Sequence, residues 1–286
     1  MSGIRGIRET FPSQPTLEGA GVRLKRAFGY QQVPKLDPFL LLDDFHSDSP
    51  EDYIKGFPWH PHRGIETVTY MLNGQVEHGD SMGNTGLIGS GDIQWMSAGS
   101  GIIHQEMPKK QDDYLWGFQL WVNLPAHEKM TKPRYQDIHS QSIPEFKSED
   151  GINVKVIAGH YKDLFGPVRD IICEPEYLDV TLPAHVEFKH SIPENHTAFI
   201  YTIEGEGNFS PKTQSIVGKE HIVLFDQGRE LIINSRDNPI QFLLISGKPI
   251  NEPVAWYGPI VMNTEEELQQ AFDEYRQGTF IKDSNT

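Results

Sequence analysis

Short runs in which apolar and β-branched residues alternate with polar ones recur along this chain, and almost every run closes on glycine or asparagine. They lie at 67–72, 115–122, 152–157, 198–203, 221–225 and 240–245. A period of two puts alternate side chains on opposite faces of a strand. Many short strands with turn signals between them build sandwiches or barrels, not helix bundles or parallel sheets. The chain therefore reads as all-β. Its C-terminus departs from the pattern: Thr264 is placed to cap a helix with Glu267 three residues on, and Leu268, Ala271, Phe272 and Tyr275 share one helical face.

At 286 residues the chain is about twice the usual domain length, and an internal repeat accounts for the doubling. The segment ETVTYMLNG at 66–74 aligns with TAFIYTIEG at 197–205, and GDIQWMSAG at 91–99 aligns with KEHIVLFDQG at 219–228. From Gly74 to Gly99 is 25 positions and from Gly205 to Gly228 is 23, so the copies have similar internal spacing. The stretch 129–151, with Pro133, Pro144 and several charges, interrupts the strand pattern. A cut there gives an N-terminal domain, 1–135, and a C-terminal domain, 136–286, that ends in the helix.

The two copies differ where chemistry is concerned. In the first, His60-Pro61-His62 opens a strand-like run; in an extended segment both imidazoles point to one side, while Pro61, lacking an N–H, suits an edge or a strand entry. Twelve histidines in 286 residues give about one half of a His-x-His pair by chance, so the pair needs company. It comes from Gly99-Ser100-Gly101, a turn signal that leads into His104 and Glu106, again two apart. If the two segments are neighbours, three imidazoles and one carboxylate converge, a donor set suited to divalent iron, manganese, nickel, copper or zinc. Carried outward without gaps, the repeat places Ser191 and Pro193 at His60 and His62, and Ile233 and Ser235 at His104 and Glu106. The C-terminal copy is therefore expected to lack the metal ligands.

Composition narrows the setting. Hydrophobic residues make up 37% and charged residues 23%, the balance of a soluble globular protein, and no apolar run is long enough to span a bilayer. The N-terminal MSGIRGIRETFPSQ has no apolar core of a secretory signal, which favours a cytoplasmic, or in a eukaryote nucleocytoplasmic, location. A single cysteine, Cys173, rules out an internal disulfide and a cysteine-based cluster within one chain, and reads as a small buried residue. Forty acidic residues against 25 basic ones give a net charge of -15, which opposes direct binding to nucleic acid.

Taken together, LDPFLLLDDF at 36–45, HPHRGIETV at 60–68, GDIQWMSAGSGIIHQEMP at 91–108, LWVNL at 120–124 and GPIVMNT at 258–264 resemble the pirins, a bicupin family of the cupin superfamily. The resemblance implies two tandem jelly-roll β-barrels, with the metal in the first. It implies that His60, His62, His104 and Glu106 hold one divalent metal, iron(II) before copper, nickel, manganese or zinc. Ordinary cupins carry their glutamate ligand at the position of Glu66, which here becomes a supporting residue. It further implies a quercetin 2,3-dioxygenase type of activity, in which a flavonol and O2 give a depside and carbon monoxide, with Glu106 the candidate base. The alternative that the family suggests is a non-catalytic, redox-sensitive iron protein that binds regulatory or metabolic protein partners.

Other residues carry less. His46, His78, His127, His139, His160, His185, His190, His196 and His221 lack a ligand pattern and are expected at the surface or in ordinary hydrogen bonds. Phe57, Trp59, Trp95 and Trp116 are expected in the core or in a cavity wall, and Asp43-Asp44 in a loop or turn.

Overall fold

A computed structural model describes residues 3–111, 113–213 and 215–282. The chain forms two compact units. One consists of 14–34, 39–140 and 250–286, and the other of 1–13, 35–38 and 141–249. Each contains a seven-stranded and a four-stranded antiparallel sheet, so the doubling read from the sequence is structural.

A cut at 135 is corrected in three places. Strand Arg134–Ile138 pairs with Ile93–Ser97 and completes a sheet of the first unit. Strand Ile7–Pro12 pairs with His221–Phe225, so the N-terminal strand belongs to the second copy. The helix Glu265–Gln277 packs against strands Ala255–Tyr257 and Ile260–Met262 and belongs with the first. Edge strands offer unpaired N–H and C=O groups along their whole length, and a distant segment can satisfy them as well as a neighbouring one.

The helix begins as its residues dictate. Thr264 accepts from the Glu267 N–H, and Glu267 Oε2 accepts from the Thr264 N–H, while Gly278 ends it in the left-handed conformation. Leu268 and Ala271 are buried, with Phe280, against Ile260 and Met262. Tyr275 is exposed, but its ring meets Phe280 edge-on at 5.6 Å.

In the first unit the seven-stranded sheet places Val22–Phe28, Phe39–Ser47, Leu115–Asn123, Ile65–Asn73 and Ile93–Ser97 side by side. The four-stranded sheet runs Phe57–His62, Ile102–Pro108, Val76–Asp80, Thr85–Ile88, with Phe57–His62 at its edge, where Pro61 needs no ladder donor. Asp43 and Asp44 lie within a strand, not a turn. Alternation separates them: Asp43 meets Arg26, and Asp44 accepts from the Trp116 indole at 3.0 Å.

In the second unit the barrel interior is apolar, with Phe188, Phe209, Ile233 and Phe242 in one buried cluster. Cys173, in the same unit, is also buried.

Candidate metal centre

Strand pairing brings the two sequence motifs together. His104 lies directly opposite His60, and Ile102 opposite His62, so the paired strands carry their histidines on one face. Between His104 and Glu106 the register shifts and Glu106 faces Phe57, a bulge that lets the carboxylate take a different direction from the imidazole two residues away. Two glycines make the approach feasible. Gly64, at φ +77, has the Val261 carbonyl 2.0 Å from where a Cβ would stand, and Gly99, at φ +47, has the Thr131 carbonyl at 2.1 Å.

His60, His62 and His104 each offer a ring nitrogen within 4.8 Å of the others. Their hydrogen bonds decide which nitrogen that is. His60 Nδ1 donates to the Pro58 carbonyl at 2.9 Å, and His62 Nδ1 donates to the Pro259 carbonyl at 3.0 Å. Both Nε2 lone pairs are thereby freed, and they face each other across 3.1 Å. His104 is fully buried and neither of its nitrogens has a hydrogen-bond partner. Burial, helped by the neighbouring imidazoles, holds His62 and His104 well below the usual histidine range; burial lowers His60 as well, against the Pro58 carbonyl and Glu106. Neutral rings with converging lone pairs and an orphaned buried nitrogen are the donor set that a cation satisfies. The residues fit a metal.

Glu106 stands beside the three imidazoles, close enough to His60 for its charge to act on that ring. It is buried, and Thr69 Oγ1 lies 2.8 Å from its Oε1 and 2.8 Å from Gln119 Oε1. One hydroxyl proton cannot serve two acceptors, so the Gln119 amide, turned over, donates to Thr69 while Thr69 donates to Glu106. Glu66 is buried apart from this group, accepting from Ser97 Oγ at 2.5 Å with Arg134 at 4.0 Å, in keeping with a supporting role.

A cavity of about 770 Å³ opens on His60, His62, Thr69, Glu106 and Gln119. That volume lies within the range of about 300–1,000 Å³ usual for small-molecule sites. Its aromatic walls include Trp121, edge-on to His62 at 5.0 Å, and Trp256, 5.8 Å from Trp121. Among the four aromatic residues proposed from sequence, only Phe57 lines it. Trp95 is core, Trp116 stacks on His46 at 4.0 Å, and Trp59 is exposed.

Two of the remaining histidines, His78 and His190, make hydrogen bonds as expected, yet each bears on the site. His78 is not at the surface: it is buried, its ring lies 5.4 Å from His104 and stacks on Tyr135 at 4.8 Å, and Nε2 meets Asp80 at 3.2 Å. Burial pushes the Asp80 carboxyl up, but hydrogen bonds from His78 and Asn84 outweigh it and hold it below the ordinary aspartate value. The sequence did carry a signal, since His78 and Asp80 are themselves two apart in a strand. His190 corrects the ungapped repeat. In the second unit Ile233 faces Phe188 and Leu231 faces His190, so Phe188 stands where His60 does and His190 where His62 does. There His190 Nε2 bonds Glu176 at 2.7 Å, while Phe188 and Ile233 occupy the other two histidine positions. Among the described residues His60, His62 and His104 are the one group of three placed to bind a cation.

Two barrels, one with a histidine triad beside a cavity and one with Phe188 and Ile233 at two of the three equivalent positions, define a bicupin with, among the described residues, one candidate metal site. Family models agree: residues 21–122 match Pirin and residues 177–281 match the Pirin C-terminal cupin domain. A pirin-like protein of Caulobacter vibrioides is 43% identical over 279 residues, which span 97% of this chain and 99% of that protein. The chain belongs to the pirin family. Among solved structures, a quercetin 2,3-dioxygenase from Acinetobacter baumannii superposes with a TM-score of 0.90 at 33% identity, over 97% of this chain and 98% of that one. A bacterial pirin from Escherichia coli in complex with nickel(II) shares the fold, with a TM-score of 0.65 at 21% identity over 84% of this chain and 100% of that one. No helix among the described residues is long and apolar enough to cross a membrane.

Proposed function

We propose that this chain is a metal-dependent dioxygenase of the quercetin 2,3-dioxygenase type, acting on flavonols with O2. The observation that carries this reading is the placement of the free Nε2 atoms of His60 and His62, with the Glu106 carboxylate, on one cavity large enough for a three-ring aromatic. The Acinetobacter baumannii structure named for this activity supports it.

His60, His62, His104 and Glu106 would hold the metal, iron(II) in the first instance. Bound there, a divalent metal supplies Lewis acidity that lowers the pKa of a coordinating hydroxyl. The chain's own residues do the rest. Trp121 and Trp256 give flat apolar walls that orient an aromatic ring and exclude water. Glu106 is the base for the flavonol 3-hydroxyl, and the hydrogen bond from Thr69 fixes the direction of its carboxylate. Both oxygen atoms enter the organic product, and one ring carbon leaves as carbon monoxide.

The test is metal analysis of the purified protein followed by flavonol bleaching and oxygen uptake with the iron, manganese, nickel and copper forms. Turnover that is lost in His104→Ala supports the reading. No turnover with any metal refutes it.

A further inference from the structure

One row of paired residues crosses the sheet beneath the cavity. Arg26 faces Asp43, Asp43 faces Gln119, and Gln119 faces Thr69, each on the next strand. Directly paired residues share a face, and all four line the same cavity. With about 4.8 Å between neighbouring strands, Asp43 lies about 10 Å from Thr69 along this row. The row has two different ends. Thr69 bonds Glu106 at one. At the other, Arg26 grips Asp43 through Nε and Nη2, both at 2.8 Å, and reaches Glu18 through Nη1 at 2.8 Å.

The charge at that far end decides what can sit there. Two carboxylates share one guanidinium, so the end is net negative and repels a carboxylate or phosphate. Arg26 spends three N–H groups on these partners, whereas each Asp43 oxygen has a second lone pair beyond the one Arg26 takes. Asp43 is 5% exposed, and it lines the cavity. Anions are therefore disfavoured there, and a hydrogen-bond donor such as a phenolic hydroxyl is accepted. Leu24, Leu41, Val76 and Leu115 add apolar wall to the same cavity.

We propose that the Asp43–Arg26–Glu18 cluster is a specificity site that accepts hydrogen bonds from phenolic hydroxyls on the ring of the substrate remote from the histidines, so that the preferred substrates are flavonols hydroxylated on that ring. This rests on the flavonol reading above and narrows it. Arg26 acts as the positioning residue, holding the Asp43 carboxylate flat against the cavity.

Three flavonols alike at the 3-hydroxyl end but carrying two, one or no hydroxyls on the remote ring (quercetin, kaempferol and galangin) separate the possibilities. Their Kd values are measured without oxygen, by quenching of tryptophan fluorescence, on the metal-loaded protein and on Asp43→Asn. A hydrogen bond to a charged acceptor predicts that quercetin binds roughly tenfold or more tighter than galangin. In Asp43→Asn that preference falls to within about threefold, and galangin binding is unchanged. Equal binding of all three by the wild type, or a preference that survives in Asp43→Asn, overturns the proposal and leaves the flavonol reading standing. No binding of any of them by the wild type removes both. The wild-type ranking needs no variant, so misfolding of Asp43→Asn, checked by circular dichroism, does not protect the assignment.

Discussion

Arg63, the residue after His62, is the point at which the C-terminal helix is fastened to the metal barrel. Its side chain is 2% exposed and fully engaged. Nε donates to the Ser100 carbonyl at 2.7 Å, Nη2 donates to the Phe280 carbonyl at 2.9 Å, and Nη1 pairs with Glu274 Oε2 at 2.7 Å. The guanidinium also lies 4.3 Å from the centre of the Phe280 ring. Arg63→Met keeps most of the stem and removes every one of these bonds. Breaking a buried ion pair from one side costs about 3–5 kcal/mol; Lys282, 2.7 Å from Glu274, still offsets the stranded carboxylate, so about 3 kcal/mol is expected. The assay is urea unfolding followed by circular dichroism, repeated from pH 7 to pH 2. Burial pushes Glu274 up, but hydrogen bonds from Lys282, Gln270 and Arg63 outweigh it and bring its pKa down to about 2 from an ordinary value of 4.5. A carboxylate depressed on folding adds stability above the unfolded value, and that stability is lost as pH falls through the folded one. Wild type should therefore weaken between pH 4.5 and 2, and Glu274→Gln should show a shallower slope there. Arg63→Met within about 0.5 kcal/mol of wild type, a change typical of an indifferent surface site, would refute the fastening role.

Other substitutions test the site itself. Thr69→Val keeps the shape of the side chain and removes the hydroxyl from Glu106; turnover should fall roughly tenfold with metal content and KM little changed, and full activity would exclude Thr69 from the proton step. His104→Ala should reduce bound metal, measured by elemental analysis, to a small fraction per chain, whereas retained stoichiometry would remove His104 from the ligand set. His78→Gln should keep its metal, because His78 is engaged by Asp80 and Tyr135, but lose about 1–2 kcal/mol in urea unfolding; metal loss would make it a ligand. Burial pushes Asp43 up to about 6 even against Arg26, so its contribution to stability is present below about pH 4 and lost as pH rises through about 6. Asp43→Asn should flatten the stability profile in that window, and an unchanged profile would contradict the shift.

The strand pairs that carry the metal site were legible because period two is a local rule. His60 with His62, and His104 with Glu106, could be assigned to shared faces without knowing any partner. The bulge that separates Glu106 from the triad depends on Phe57 of another strand, and nothing around Glu106 announces it. The ungapped repeat failed for a similar reason. Arg63 and Gly64 alone separate the strands Phe57–His62 and Ile65–Asn73, whereas five residues, 192–196, separate Glu187–Ser191 from Thr197–Glu204. Those extra residues moved His190 out of alignment. His78 was passed over although His78-x-Asp80 has the same spacing as the histidine pair, because Asp80 gave no hint that the ring would stack near His104. The division at 135 missed the pairing of Ile7–Pro12 with a strand more than two hundred residues away, which no local pattern encodes.

The exchange of chain ends between the two units also bears on how the protein is made. The carbonyl that sets the tautomer of His62 belongs to Pro259, and that which holds Arg63 belongs to Phe280. A ribosome delivers the three histidines first, and these two carbonyls about 150 residues or more later. Until then His62 is free to take either tautomer. A nascent chain can thus form the early strands of the first barrel without presenting the finished set of donors, which is complete only once residues 259–280 have emerged. Loss of residues 257–282 would then disturb the imidazole donor set although His60, His62 and His104 themselves are intact.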